Sequence, residues 1–219
     1  MKKIVSFSLW GDNTLYTKGA VENARMYPEI FKDWKCLFYH DDSVPDEILK
    51  KIKEYGGELR EMGKTIDVLG MYWRFHPMFD DNNIERFIVR DTDSRPTVRE
   101  KEAVDEWIDS GATFHVMRDC ESHGTSILGG TWGAIPGCIE HFEQRMQIWF
   151  TQLVPCGENP RGLFHGTDQM FLHKLVWPLI KDTYICHVRE GMPKLKFADN
   201  DKWFPSPLGA DGHYVGMVC

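Results

Sequence analysis

Arg86-Phe87-Ile88-Val89-Arg90-Asp91-Thr92-Asp93-Ser94-Arg95 is the stretch that decides how this chain is read. The apolar run Phe87-Ile88-Val89 predicts a buried strand over residues 86–90. Alternate residues of a strand share a face. While the chain stays extended, Asp91 and Asp93 therefore point the same way and Arg90 opposes them. Two carboxylates side by side repel each other, and burial makes the repulsion worse. A divalent cation removes the conflict, and two hard oxygen ligands suit Mg²⁺, Mn²⁺ or Ca²⁺.

Outward from this stretch, strands alternate with helices. Strands are predicted over residues 4–10, 35–39, 59–62, 113–117 and 184–188. Helices are predicted over residues 18–27, stopped by Pro28, and 46–55, stopped by Gly56-Gly57. Further helices are expected over 70–79, 99–110, 138–153 and 168–176, the last stopped by Pro178. Residues 127–137 are Gly-rich, and the chain beyond Gly191 reads as irregular. This alternation predicts an α/β fold, a mostly parallel central sheet with helices on both faces. Ligands of such sheets sit beyond the carboxyl ends of the strands, where Asp91 and Asp93 stand.

The chain has 219 residues, read as one domain over 1–219 and enough to bury roughly 70% of its unfolded surface. A net charge of −7 argues against nucleic acid as a partner, because phosphate-backbone binding needs clustered Lys and Arg. The six cysteines show no Cys-x-x-Cys spacing, so a structural zinc is not expected, and reduced thiols in the cytoplasm are. The first apolar run ends at Trp10, too short for a signal peptide, and no run approaches the ~20 residues of a membrane span. A cytoplasmic location is the expectation.

An Asp-x-Asp closing a mid-chain strand resembles the metal-diphosphate site of glycosyltransferases with the GT-A fold, a Rossmann-like α/β domain. Met71-Tyr72-Trp73-Arg74-Phe75 stands before it at a spacing similar to that of family eight, which includes glycogenin. Ser6-Phe7-Ser8-Leu9-Trp10-Gly11-Asp12, Phe114-His115-Val116-Met117-Arg118-Asp119 and Ile127-Leu128-Gly129-Gly130-Thr131-Trp132-Gly133 extend the likeness. Gly166-Thr167-Asp168-Gln169 and His213-Tyr214-Val215-Gly216 complete it. Together they look like the short stand-alone glycosyltransferase domains of bacteria and large DNA viruses.

The resemblance implies a metal-dependent transfer from a nucleoside-diphosphate sugar, a UDP-sugar above all, to a carbohydrate or glycoconjugate acceptor. It implies Mn²⁺ as the cofactor, with Mg²⁺ as the alternative. Asp91, Asp93 and His187 would hold the metal, His187 through His187-Val188-Arg189-Glu190-Gly191-Met192-Pro193-Lys194. Lys194 would meet the diphosphate, although the gap from His to Gly is one residue longer than in the family. Arg74 would face the sugar-diphosphate, and Ser8, Trp10 and Asp12 the nucleoside. Asp168 and Gln169 would reach the sugar beneath its anomeric carbon.

Each residue also has a plainer account. Trp10 reads equally well as core, and Asp12 as a turn residue. Arg74 fits a surface ion pair. Asp168 fits the start of a helix, where the dipole favours a carboxylate. A lone histidine such as His187 is commonly structural. The glycines of 127–137 either admit a close approach to a sugar or make a tight turn. Their spacing matches no dinucleotide or Walker loop. A sugar nucleotidyltransferase is the rival enzyme, but it would carry a basic Gly-rich loop after the first strand, and residues 9–15 have no Lys or Arg. A non-catalytic sugar- or nucleotide-binding module is the rival outside enzymes.

Overall fold

In the computed structural model, which describes residues 1–64, 67–79, 83–153, 165–181, 183–196, 198, 199 and 201–219, the chain begins with the central strand β1, Lys2–Leu9. β1 pairs in parallel with β2 (Trp34–His40) on one side and with β4 (Ile84–Val89) on the other. β3 (Glu58–Glu61) extends the first edge. Beyond β4 lie β6 (Trp132–Ala134), β5 (Phe114–Arg118), β7 (Tyr184–Val188) and β8 (Lys202–Trp203), giving the order β3-β2-β1-β4-β6-β5-β7-β8. Among the described strands only β6 runs antiparallel to its neighbours. The fold is therefore the expected mixed α/β domain with a mostly parallel sheet.

Successive residues of β4 feed opposite layers, as the period of a strand requires. Phe87 and Val89 enter one core with Tyr72, Phe75, Trp132 and Phe171. Ile88 enters the other with Phe7, Tyr27, Phe38 and Trp107. The second layer is covered by helices α1 (Thr14–Ile30), α2 (Asp46–Glu54) and α3 (Val98–Ser110). The first is covered by a 3-10 segment (Asp67–Met78), α4 (Phe142–Leu153) and α5 (Thr167–Phe171), which continues as a π turn (Leu172–Val176) into α6 (Trp177–Ile180). None of the described helices is long and apolar enough to cross a membrane.

Local chemistry explains where the elements differ from expectation. α1 starts earlier because the Asn13 side chain caps it, accepting from Leu15 N at 3.0 Å. It runs through Pro28, which sits in the final turn and leaves that turn one backbone donor short. Pro178 lies at the start of α6, where proline is tolerated, and does not end the helical segment. α4 begins four residues late because Gly137 and His141 both take the left-handed conformation. Residues 127–137 contain a strand, β6, that the sequence did not announce. Gly133 is required there, since a Cβ would lie 2.8 Å from Phe87 O and 2.9 Å from the Ile88 side chain. The five described cysteines are all free.

Candidate active site

β1 is where the chain reverses its direction of growth across the sheet. β2 and β3 are added on one side, and β4 and all later strands on the other. Crevices at such a switch point are the usual ligand sites of open α/β sheets. A cavity of about 550 Å³ opens at the carboxyl ends of β1 and β4, a size ordinary for a small-molecule site.

The acidic pair is delivered by a turn. β4 ends at Val89, and Asp91 O accepts both Ser94 N (3.3 Å) and Ser94 Oγ (3.0 Å). Asp91 and Asp93 converge on the cavity through this turn and not through strand alternation. Arg90 anchors it from behind. Its guanidinium is buried against Glu100 (2.6 Å), Val89 O (2.6 Å) and Trp132 O (3.0 Å). Asn23 Nδ2 and Arg95 Nη1 both donate to Thr92 O, at 3.2 and 3.0 Å. Burial, and then the neighbouring Asp91 charge, hold the Asp93 carboxyl above its ordinary pKa. The Tyr16 phenol, on the first turn of α1, is raised by burial, by Asp93 and by Asp91.

Arg74 links this turn to the far wall. Its Nη1 pairs with Asp91 Oδ1, and its Nη2 donates to Asp168 Oδ2 at 2.7 Å. Burial works against its charge, but Asp91 and Asp168 outweigh it and keep the guanidinium protonated. β1 fixes the backbone beneath it. Ser8 Oγ accepts from Arg74 N at 2.9 Å, and Ser6 Oγ donates to Arg74 O at 2.8 Å. Asp168 is 2% exposed and also accepts from Gln169 N at 2.8 Å.

Two glycines make room for this cluster. A Cβ at Gly130 would collide with the Asp91 carboxylate. One at Gly129 would collide with Asp168 Oδ2 and lie 2.8 Å from Arg74 Nη2. The stretch makes a turn into β6, and its glycines admit a close approach by the chain's own charged side chains.

The cavity brings together Ser8, Trp10, Asp12, Arg74, Asp91, Asp93, Asp168 and Gln169 from four separate parts of the sequence. Trp10 is half-buried, edge-on to Trp73 at 6.2 Å between ring centroids. Asp12 is exposed at the rim.

Two expected residues are not brought there. His187 lies inside β7, fully buried, with Nδ1 on His115 Nε2 (2.9 Å) and Nε2 on Glu106 (3.2 Å). Both ring nitrogens are already engaged, and burial lowers the pKa of the ring. His187 is thus a structural histidine, and the expectation of a third metal ligand from it is corrected. Lys194 is exposed and pairs with Glu121 at 2.7 Å on the outer surface. The extra residue between His187 and Gly191 accompanies both displacements.

The sequence did not single out Tyr16 or His165, which also line the cavity, nor Val218. Gly216 and Val218 arrive through residues 213–219, which fold back over the acidic turn. The return of His213-Tyr214-Val215-Gly216 was legible only as a likeness.

The donor set suits a hard divalent cation. Among the described residues, no three His, Cys, Asp or Glu side chains lie close enough together to hold a metal ion by themselves. Two carboxylates are nevertheless the usual protein share for Mg²⁺ or Mn²⁺ when phosphate oxygens supply the rest. Asp91 and Asp93 would provide that share, and Gly130 leaves room for the Asp91 carboxylate.

No protein-family model and no curated protein matches the sequence. Solved structures do match the fold. A glycosyltransferase involved in the glycosylation of the major capsid of PBCV-1 aligns over 90% of both chains at 15% identity, with a TM-score of 0.50. A mannosyltransferase from Pyrobaculum calidifontis, solved with GDP-Man and Mn²⁺, aligns over 83% of this chain and 73% of its own at 10% identity and TM-score 0.43. A 4-diphosphocytidyl-2C-methyl-D-erythritol synthase from Anaerococcus prevotii aligns over 79% and 84% at 10% identity and TM-score 0.44. At 15% identity the likeness to the first of these concerns the fold alone.

Proposed function

We propose that this chain is a metal-dependent glycosyltransferase that moves a sugar from a nucleoside diphosphate, UDP above all, to a carbohydrate or glycoconjugate acceptor. One observation carries the reading. The cavity at the switch point places four carboxylates, Asp12, Asp91, Asp93 and Asp168, against a single guanidinium, Arg74, among its described lining residues. Such a site accepts an anionic diphosphate only together with a cation, and Asp91 and Asp93 are the pair to hold one, Mn²⁺ or Mg²⁺. When bound, that cation supplies Lewis-acid stabilisation to the leaving diphosphate.

The chain's own groups account for the remainder. Trp10 offers a ring for the base, and Asp12 an acceptor at the rim. Arg74 holds positive charge where the diphosphate would lie. Asp168 presents a buried carboxylate to sugar hydroxyls and to the positive charge that grows on the anomeric carbon, with Gln169 beside it. Attack on phosphorus, as in a nucleotidyltransferase, is less well served, because Arg74 is the one Lys or Arg among the described lining residues.

A panel of nucleotide sugars, scored by thermal shift with and without Mn²⁺ and then by donor hydrolysis, tests this reading. One UDP-sugar should stabilise the fold, by about 2.7 kcal/mol at a hundredfold excess over its Kd, and be hydrolysed only with metal. Nucleoside-triphosphate turnover without sugar transfer would favour the rival.

A further inference from the structure

We propose that Arg74 is the resident counter-ion of the acidic turn, and that it makes a divalent cation bind well only in company with a nucleoside diphosphate. The inference rests on reading the cavity as a nucleotide-sugar site. It adds the residue that ties the two ligands together.

Arg74 cannot leave the cluster easily. Its side chain is buried, and its backbone is held on both sides by Ser6 and Ser8. Nη1 pairs with Asp91 and Nη2 with Asp168, while Nε, also buried, has no hydrogen-bond partner among the described residues. The terminal nitrogens are thus held by the two carboxylates, and Arg74 lines the cavity, where a phosphate oxygen is an acceptor of the right charge.

A divalent cation ligated by Asp91 must share that carboxylate with the guanidinium. The two positive charges repel, and at a buried position salt screens them poorly. A diphosphate changes the balance, because its oxygens attract both cations at once. The metal alone therefore binds weakly, and metal with diphosphate binds strongly. Linkage makes the effect reciprocal, so each ligand raises the affinity for the other by the same factor.

Calorimetry of Mn²⁺ alone, and of UDP with and without Mn²⁺, separates this idea from the reading beneath it. In the wild-type chain UDP should raise Mn²⁺ affinity strongly. Arg74→Gln should bind Mn²⁺ alone at least ~10-fold more tightly than wild type and show a correspondingly smaller enhancement by UDP. Arg74→Lys, which keeps the charge, should stay close to wild type for Mn²⁺ alone. Removing Arg74 strands the buried Asp168 carboxylate, so the double variant Arg74→Gln/Asp168→Asn provides the same test in a neutralised cluster. Unchanged or weaker binding of Mn²⁺ alone in these variants overturns the role of Arg74 and leaves the nucleotide site standing. A wild-type chain whose UDP affinity ignores Mn²⁺ overturns both.

Discussion

The backbone N–H of Cys219 donates to the carbonyl oxygen of Asp93 at 2.8 Å. A bridge between Ser94 and Val218 lies beside it, and Val215 N donates to Asp119 Oδ2 at 3.0 Å. Arg99 in turn grips both oxygens of Asp119, at 3.0 and 2.8 Å. Residues 213–219 are thus stitched to the acidic turn and supply Gly216 and Val218 to the cavity wall.

Removing residues 213–219 should therefore damage the site more than the fold. Each lost hydrogen bond to the turn is worth on the order of 1 kcal/mol. Mn²⁺-dependent UDP affinity should fall at least ~10-fold, while far-UV circular dichroism stays close to that of the full chain. A truncated chain with unaltered affinity would show that the strap is dispensable.

His123 should make this strap sensitive to acid. Its Nδ1 accepts from Asp119 N at 3.1 Å, and its ring packs edge-on against Tyr214. Burial lowers its pKa from 6.5 to about 4. The unfolded chain therefore binds the proton first. The contribution of the neutral ring is complete above pH 6.5 and is lost as the pH falls through about 4. A single histidine can account for up to about 1.4 kcal/mol per pH unit in that window. Chemical denaturation at a series of pH values should give a shallower acid decline for His123→Gln than for wild type. His115 and His187, also depressed by burial, act in the same direction in both proteins and cancel in the comparison. Parallel declines would remove His123 from the account.

Asp93→Asn should separate stability from function. Burial and the Asp91 charge both oppose ionisation of Asp93. The amide relieves both, so the metal-free variant should melt at a higher temperature than metal-free wild type. It should also gain little from Mn²⁺. A lower melting temperature would mean that Asp93 supports the fold in a way its surroundings do not suggest.

Gly130→Ala tests the seat of the Asp91 carboxylate. The added methyl would collide with the Asp91 carboxylate. Overpacking of this kind costs about 1–3 kcal/mol, and the displaced carboxylate should weaken Mn²⁺-dependent UDP binding by at least about tenfold. Unimpaired binding would place the cation away from Asp91.

Much of the fold could be read from short patterns. Phe87-Ile88-Val89 announced a two-faced strand, and its residues do divide between two cores. The Asp-x-Asp located the cavity, although the two side chains converge through a turn held by Ser94. What stayed hidden depends on distant partners. β6 is only three residues long, and its place is set by Trp132 stacking on Phe114 at 5.1 Å. The pairing of Arg74 with Asp168 joins residues 94 apart. His187 looked like a ligand because of its neighbours in sequence, but its surroundings in space, His115 and Glu106, make it structural. No local pattern reveals which nitrogen a buried neighbour has already taken.

The central claim is that the cavity holds a nucleoside diphosphate through a cation carried by Asp91 and Asp93. Calorimetric titration of UDP into the metal-free protein, and into the same protein with Mn²⁺, tests it most directly. The account predicts weak or undetectable binding without Mn²⁺, a gain of at least ~10-fold with it, and loss of that gain in Asp91→Asn and Asp93→Asn. Equal UDP affinity with and without Mn²⁺ in wild type, or an undiminished gain in both variants, would contradict it.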